Sequence, residues 1–450
     1  MELTQFKELL FQAGEKAGFE EMELYYANGE KFSTKVYNGE VDSYTLATDA
    51  GLSFRGLING QMGYAYTEKI DHSSVQLLVD GAKENAFILD TEDHEDLYSG
   101  ADSYPALDLF ADELENVSPS TKIDFLKEVE KACFARSNKV SSVNYCMLQS
   151  FSSDKRIANS KGLDVMDRGN GIFVFVSVVV KDNEDIKSAQ KLAISRDFSA
   201  FEAEKIANVA VDEALSYLGA ESVKSGYYPV IFKNKAAAAL LQTFVGSFSA
   251  DNVHKGKSRL ANKVGEKIAG KNITIIDNPH DTKGFSSRSF DSEGVPTKPL
   301  HVLEEGVLKT YLHNRKTAKK DGVSSTGHAS KASYKGTIGI SPSNLYIKAG
   351  EESFDHIVSN SKEAIVITSL QGLHSGANPI SGDFSLAAHG YLVKNGKILR
   401  PVNQITVAGN FFSLLNDVES VGNDLETELP SGGAIGSPSL KVSKLSVGGK

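Results

Sequence analysis

Four residues of catalytic types lie close together near the C-terminal end of the chain: His374, Ser375, Asp383 and His389. Serine, histidine and aspartate form hydrolytic triads, but no Gly-x-Ser-x-Gly turn surrounds Ser375, and the order of these residues specifies no geometry. We favour a turn histidine and a strand histidine over triad chemistry. No catalytic residue is therefore predicted here.

The same region suggests a second chemistry, the binding of an extended peptide. The run 371–383 is rich in glycine, and Asn378-Pro379 followed by Ser381-Gly382 is typical of a tight loop that could line a cleft. An extended peptide can be held by main-chain hydrogen bonds to a strand edge. Asn378, Ser381 and Asp383 are therefore candidate peptide contacts; the alternative is that they only build the turn.

A β framework is expected to position these residues. Asn395-Gly396 lies between the apolar runs 387–393 and 398–402, which predicts a hairpin with a two-residue turn. The next strand changes to helical spacing at Gly409, ahead of Phe411 and Leu414. The C-terminal half therefore reads as a β-rich domain.

The N-terminal part has a different pattern. A helix that ends at Gly18 precedes short alternating strands, whose turns are predicted at Asn28-Gly29, Asn38-Gly39 and Asn59-Gly60. Helices are also predicted from Ser74, from Ser118-Pro119 and over 200–218, with strands between the last two. Helix, strands and helix thus occur twice, which is consistent with a duplication, and the acidic stretch 90–116 is predicted as an exposed connector.

These patterns predict an α+β fold of two domains. The first, residues 1–222, is an α/β domain with an antiparallel meander and flanking helices, and the second, residues 223–450, is β-rich. A chain of 450 residues exceeds the size at which one hydrophobic core stops growing, which supports two domains.

Composition excludes several classes of function. The formal net charge is −10 and no Lys/Arg cluster is longer than the one in 316–320, so direct binding to nucleic acid is not expected. No apolar run approaches the roughly 18 residues of a membrane span and no signal peptide is recognised, so we expect a cytoplasmic protein with no membrane contact. Cys133 and Cys146 are expected to be reduced core thiols.

Several motifs carry a resemblance to a known family. The run 382–410, GDFSLAAHGYLVKNGKILRPVNQITVAGN, is followed by VGNDLE at 421–426, with FDSEGVPT at 290–297 and STGHA at 325–329 upstream. In this order they resemble the TldD/PmbA family, and within it the PmbA (TldE) branch. The resemblance implies a cytoplasmic two-subunit peptide-processing system in which a TldD-type subunit carries the metalloprotease site. An older label of the family, modulator of DNA gyrase, implies contact with a DNA-handling machine, which the acidic composition does not support.

The family's metal motif is degenerate in this chain. In the TldD-type subunit the corresponding helix carries LLHEAVGH, whereas residues 240–247 here read LLQTFVGS. Gln242 and Ser247 therefore stand where the resemblance places metal-binding histidines, and Thr243 where it places the general base. A catalytic metal needs imidazole, thiolate or carboxylate ligands, and the C-terminal cysteine of the active branch is also missing. No metal and no cofactor are expected.

Two functions remain open from the sequence. The first is a PmbA/TldE-like subunit that acts in proteolysis with a TldD-type partner by shaping a cavity or holding the peptide substrate. The second is a stand-alone peptide-binding or regulatory protein without peptidase activity. For the chain in isolation we expect a homodimer, because closed two-fold pairing is the commonest oligomer.

Overall fold

The structure, a computed structural model, describes residues 1–88, 95–427 and 432–450. The part of the predicted connector 90–116 that precedes Glu95 lies outside these ranges. The α+β class is confirmed. The predicted boundary at 222/223 falls between a helix and a strand, and it stays a prediction.

The N-terminal half repeats one order of elements, helix, three strands and helix. The elements are α1 (Leu3–Ala17), β1 (Glu21–Tyr37), β2 (Glu40–Ile58), β3 (Gln61–Thr67), α2 (His72–Ile88), α3 (Asp112–Glu115), α4 (Pro119–Arg136), β4 (Val140–Asn159), β5 (Asp164–Asp182), β6 (Asp185–Ser195) and α5 (Ala203–Ser216). The strands form one antiparallel sheet in the order β3-β2-β1-β4-β5-β6. The two repeats therefore meet at β1 and β4, and the predicted recurrence of helix, strands and helix is confirmed.

Each repeat packs its own helices onto the sheet. In the first repeat, Phe6 and Leu10 of α1 and Leu78 of α2 are buried against Phe54 of β2. In the second, α4 and α5 bury a separate cluster that includes Cys133 and the neighbouring Cys146. Both cysteines are free and buried, as predicted.

Two of the three predicted Asn-Gly turns of the meander are confirmed. Asn38-Gly39 and Asn59-Gly60 have positive φ at both residues and join β1 to β2 and β2 to β3. The third was wrong, because β1 runs straight through Asn28-Gly29. Asn28 pairs with Ala50 on one side and with Asp154 on the other, so two flanking strands override its turn propensity.

The C-terminal half contains many short strands. Its elements are β7 (Gly226–Phe232), α6 (Asn234–Phe244), α7 (Ala250–His254), β8 (Ile275–Asp277), β9 (Leu300–Glu304), β10 (Val307–Leu308), α8 (Arg315–Asp321), β11 (Ala329–Ser330), β12 (Gly339–Ile340), β13 (Asn344–Ile347), α9 (Phe354–Ser359), β14 (Glu363–Gln371), α10 (Leu373–Gly376), β15 (Asp383–Lys394), β16 (Lys397–Asn410), α11 (Phe411–Asn416), β17 (Val418–Val421), β18 (Glu426–Thr427), β19 (Ala434–Ser437) and β20 (Leu440–Gly448). A 3₁₀ turn, Val245–Phe248, follows α6 directly.

Most of these strands belong to two larger sheets. One has the order β16-β15-β14-β7-β20-β17, and a further pairing of β16 with β20 closes it on itself. The other has the order β10-β9-β8-β13-β19-β18. A large apolar cluster between the sheets includes Leu240, Leu241 and Phe244 of α6, so this helix is held along its buried face.

The predicted hairpin at Asn395-Gly396 is confirmed. Both residues have positive φ, and Lys394 pairs with Lys397 across the turn. The predicted change from strand to helix is also confirmed, since β16 ends at Asn410 and α11 begins at the next residue. The Asn410 side chain accepts the backbone N–H groups of Phe412 and Ser413 and so caps α11. Among the described residues, no helix combines the length and the apolar character that crossing a membrane requires.

Candidate functional site

A large cleft lies between the N-terminal sheet and α6, and it encloses about 910 Å³. Its walls come from β6, from one face of α6 and from the end of β14, with α5 and β18 at the rim. It is lined by residues 188–195 of β6, Lys235, Ala236, Ala239 and Gln242 of α6, residues 368–371 of β14, and Phe175, Ser177, Ala200, Phe201, Glu213, Tyr217, His389, Glu426 and Thr427.

β6 presents a strand edge to this cleft. It is the last strand of its sheet and pairs only with β5 among the described strands. Side chains of a strand alternate between its two faces, yet every residue from 188 to 195 lines the cleft. The cleft therefore meets the outer edge of β6, where main-chain N–H and C=O groups have no partner strand.

α6 forms the opposite wall because its sequence separates two faces. Ala236, Ala239 and Gln242 recur at three-residue spacing and line the cleft, while Leu240 and Leu241 are buried in the core. The short alanine side chains occupy little of the cleft, and alanine strongly favours helix. Gln242, half-buried, is the largest polar side chain that α6 contributes besides Lys235.

The other two positions of the degenerate motif are turned away from the cleft. Thr243 Oγ1 donates to the Ala239 carbonyl oxygen at 2.9 Å, one turn earlier in the helix. Ser247 is buried in the 3₁₀ turn, and its Oγ donates to the Pro379 carbonyl oxygen at 3.3 Å. Both hydroxyls are thus committed to backbone acceptors.

This donor set does not fit a metal ion. One amide and two hydroxyls that donate to carbonyl groups offer none of the imidazole, thiolate or carboxylate ligands of a catalytic site. Across residues 1–88, 95–427 and 432–450, no three His, Cys, Asp or Glu side chains are grouped so that they could hold a metal ion. No reaction step through a metal is therefore derived for this cleft.

An aromatic and polar group forms the end of the cleft near α5. The Tyr217 hydroxyl lies 2.9 Å from Glu213 Oε1 and 2.8 Å from Thr368 Oγ1, so it joins α5 to β14. The Tyr217 ring packs edge-on against His389 with centroids 4.8 Å apart, and it stacks on Tyr391. Burial lowers the pKa of His389, against the opposing charge of Glu213. With a neutral imidazole beside aromatic rings, this end of the cleft is suited to packing against a ligand or to hydrogen bonding with it.

Glu426 links the two walls at another point of the cleft. Its carboxylate lies 3.6 Å from Lys191 of β6 and 4.0 Å from Lys235 of α6. All three side chains are partly exposed, so each pair contributes little to stability. The arrangement places charges of both signs where a peptide's termini or side chains could meet them.

The three predicted peptide contacts lie outside this cleft. Asn378 Oδ1 accepts the N–H groups of Ile380 and Ser381, and the Asp383 carboxylate accepts from Asn410 Nδ2 at 2.8 Å. The Ser381 carbonyl oxygen accepts from Arg259 at 2.9 Å. None of Asn378, Ser381 and Asp383 lines the cleft, and the polar groups of the loop are engaged in building it.

The four residues of catalytic types are not assembled either. Asp383 and His389 lie on one strand, β15, six residues and therefore roughly 20 Å apart. His374 and Ser375 are exposed in the short helix α10. The structure places one histidine in a helical turn and the other in a strand.

Sequence reasoning missed β6 as the site's main wall. The strand follows a two-residue turn, Asn183-Glu184, in which Asn183 has a φ of 54°. The available signals were this asparagine and the alternation that follows it in IKSAQKLAIS. They are weak, because the turn lacks glycine and the strand has few large apolar residues.

Comparison with known proteins gives matches along most of the chain. The sequence profile described as PmbA/TldA metallopeptidase C-terminal domain matches residues 225–449, that of the central domain matches 112–218, and that of domain 1 matches 22–86. The chain is 28% identical over 422 residues to a protein of Escherichia coli O157:H7 named metalloprotease PmbA, covering 92% of this chain and 90% of that protein. It is 25% identical over 452 residues to a metalloprotease TldD homologue of Buchnera aphidicola, covering 95% and 92%.

Solved structures agree with the fold. A Thermotoga maritima protein, named as a candidate modulator of a DNA gyrase, superposes with a TM-score of 0.91 at 34% identity, covering 99% of this chain and 100% of the other. TldE from Thermococcus kodakarensis shares the fold with a TM-score of 0.89 at 24% identity, covering 99% and 100%.

Proposed function

Because the chain belongs to the PmbA/TldE group of the PmbA/TldD metallopeptidase family, we propose that it acts in proteolysis as the subunit without a metal site. A TldD-type partner supplies the metal and cuts the peptide. The buried free thiols of Cys133 and Cys146 suit a reducing compartment such as the cytoplasm.

One observation carries this proposal. Of the three positions where the resemblance places the TldD-type metal motif, Gln242 lines the cleft, while Thr243 and Ser247 are turned away and bonded to backbone carbonyls, yet the cleft itself is large and open. The binding space is thus present without ligands for the ion. Such a subunit is suited to holding a substrate and not to cutting it.

The free edge of β6 supplies the mode of peptide binding. An extended peptide that adds to this edge satisfies its own main-chain groups and those of β6, with little demand on sequence. The alanines of α6 leave space for side chains on the opposite side. The predicted substrate class is therefore an unstructured peptide segment.

Cleavage of an unstructured peptide tests whether the TldD-type subunit, and not this chain, cuts the substrate. The full-length chain with added zinc, a TldD-type subunit alone and the two mixed at equal concentration are compared, and co-purification of the mixture is measured. We expect no turnover from this chain alone and increased turnover from the mixture. Turnover by this chain alone, abolished by chelation, would contradict the proposal.

Binding to the cleft is tested separately by fluorescence anisotropy with the same peptide. Ala239→Trp fills the cleft and is expected to weaken binding at least about tenfold, an order of magnitude for a lost binding contact. The control, Ala332→Trp, changes an exposed alanine that does not line the cleft and should leave affinity unchanged. A backbone N-methylated peptide should bind more weakly, because it cannot donate to a strand edge; equal affinity would reject strand addition.

One observation favours the second candidate function, a stand-alone homodimeric peptide-binding or regulatory protein. This chain by itself forms walls on both sides of the cleft, which supports peptide binding by the chain alone. Peptide binding that survives in the absence of any TldD-type protein, together with no co-purification and no gain in turnover, would favour this alternative.

A further inference from the structure

A second, smaller cavity of about 160 Å³ lies where the N-terminal sheet meets the segment 285–288. It is separate from the β6 cleft and shares none of its lining residues. β4 and β5 form one side, and the segment after β8 forms the other. Its lining residues are Leu109, Phe151, Ser153, Lys155, Asp167, Arg168, Gly169, Asn170, Arg196, Phe285, Ser287 and Arg288.

The charges around this cavity are unusual for an acidic chain. Lys155, Arg168, Arg196 and Arg288 line it with a single carboxylate, Asp167, although the protein as a whole carries a formal net charge of −10. Among the described residues, neither Lys155 nor Arg196 nor Arg288 has a carboxylate oxygen within the 4.0 Å of an ion pair. Arg168 pairs with Asp112 at 3.5 Å, so the positive charge that the protein does not neutralise by direct pairing comes from the other three cations.

Arg196 is held in place by backbone groups. Its Nε donates to the Leu109 carbonyl oxygen at 3.0 Å, and its two Nη atoms donate to the carbonyl oxygens of Thr282 and Gly284 at 2.6 and 2.9 Å. The guanidinium also lies over the Phe285 ring, 4.5 Å from its centroid. These contacts fix the orientation of the guanidinium and leave its charge available.

In the part of the chain that the structure describes, Arg288 has an unused hydrogen-bond donor, and Lys155 has no close counter-ion. Arg288 Nη2 donates to the Ser341 carbonyl oxygen at 3.1 Å, but its buried Nε has no hydrogen-bond partner among the described residues. Lys155 Nζ lies over the Phe290 ring, 4.6 Å from its centroid. Burial lowers the pKa of Lys155 to about 8, which agrees with a cation that lacks a close counter-ion.

The nearby carboxylates are engaged elsewhere. Asp167 accepts the backbone N–H of Ser289 at 3.2 Å. Asp277 accepts from His328 and Ser343, and Asp291 accepts three backbone N–H groups. They moderate the positive potential without filling the cavity.

We propose that this cavity binds a phosphate group, with Lys155 and Arg288 at its inner end and Arg168 at its mouth. A phosphate group carries the multiple negative charges and the several acceptor oxygens that a cluster of guanidinium and ammonium groups recognises. Ser153 and Ser287 line the same space, and the Ser287 hydroxyl donates to the Asp281 carbonyl oxygen. The small volume suits one such group, which comes either from inorganic phosphate or from a phosphomonoester whose remainder extends into solvent.

Isothermal titration of the full-length chain at pH 7 tests this, with inorganic phosphate, phosphoserine and acetate as probes at matched ionic strength. We expect saturable binding of one phosphate per chain. Equal affinity for phosphate and phosphoserine assigns free phosphate, and tighter phosphoserine binding assigns a phosphomonoester. Acetate binding as tight as phosphate binding, or no saturable phosphate binding, overturns the proposal.

Variants locate the site. Lys155→Met is expected to weaken phosphate binding at least about tenfold. The matched control, Lys331→Met, removes another partly buried lysine, whose pKa burial lowers to about 7, from a different cavity and should keep the wild-type affinity. If Lys155→Met does not fold, the exposed Arg168→Glu decides, with the same expected loss. Wild-type affinity in a folded Lys155→Met, or in Arg168→Glu, refutes the assignment.

Discussion

Replacing Glu293 by glutamine should stabilise the protein at alkaline pH. Glu293 is 5% exposed, and its Oε2 accepts the backbone N–H of Arg315 at 2.8 Å. Burial raises its pKa to about 8, and the charge of Asp291 adds to this, while Arg55 and Arg315 act in the opposite direction. A glutamine side-chain oxygen can accept the same N–H without any charge, so the substitution preserves the contact.

The sign follows from proton linkage. The folded-state pKa of Glu293 lies above the ordinary value of 4.5, so the folded protein holds this proton more tightly than the unfolded chain. The contribution of this bound proton to the free energy of unfolding is fully present below about pH 4.5 and is lost as the pH rises towards 8. At about 1.4 kcal/mol for each pH unit, the upper bound of the loss is about 5 kcal/mol. Glu293→Gln should remove this loss.

The assay is the free energy of unfolding in urea between pH 5 and 9, for wild type and variant. Because a chain of 450 residues need not unfold in one step, hydrogen exchange of the Arg315 amide gives the local free energy at the same pH values. The exposed Glu8→Gln serves as a matched control. We expect wild type and Glu293→Gln to differ by less than about 1 kcal/mol at pH 5 and by about 2 to 5 kcal/mol at pH 9.

A pH-independent difference between wild type and Glu293→Gln would refute the reasoning, because it would mean that Glu293 is ionised in the folded protein throughout. A second variant tests whether any substitution of a buried carboxylate by an amide would stabilise the protein in the same way. Asp291→Asn should destabilise at every pH, since its carboxylate accepts three backbone N–H groups and an amide NH₂ cannot replace both oxygens.

Two further predictions concern the hairpin and the degenerate motif. Gly396→Ala should cost about 2 to 3 kcal/mol in thermal unfolding, since φ is +74° and the added Cβ would strike a neighbouring carbonyl; Gly39→Ala, at a similar φ in open space, should cost only about 1 kcal/mol. An equal loss of stability in both variants would contradict this. The triple variant Gln242→His, Thr243→Glu, Ser247→His should bind zinc only weakly in a titration and should cleave no peptide. The reason is that position 247 is buried and no partners orient the new histidines. Robust peptide hydrolysis by this variant would contradict the prediction.

Local signals in the sequence determined much of the fold. Asn-Gly pairs predicted the turns after β1, β2 and β15, because positive φ is accessible to these residue types at little energetic cost. The failure at Asn28-Gly29 has the converse reason, since strands paired on both sides stabilise an extended backbone that the local sequence does not favour. The family motifs in 290–297 and 382–426 also indicated the family correctly.

The tertiary structure decided which surfaces could act. The resemblance to the TldD-type motif predicted that Gln242 and Ser247 stand in place of metal-binding histidines and Thr243 in place of the general base, and this prediction rests on residue type alone. The sequence did not show that β6 presents its edge to α6, since strand pairing joins segments far apart in sequence and leaves no local pattern in either one. The gathering of Lys155, Arg196 and Arg288 around one cavity has the same cause: each is an isolated cation in the sequence, and only the packing of the N-terminal sheet against the segment 285–288 brings them together.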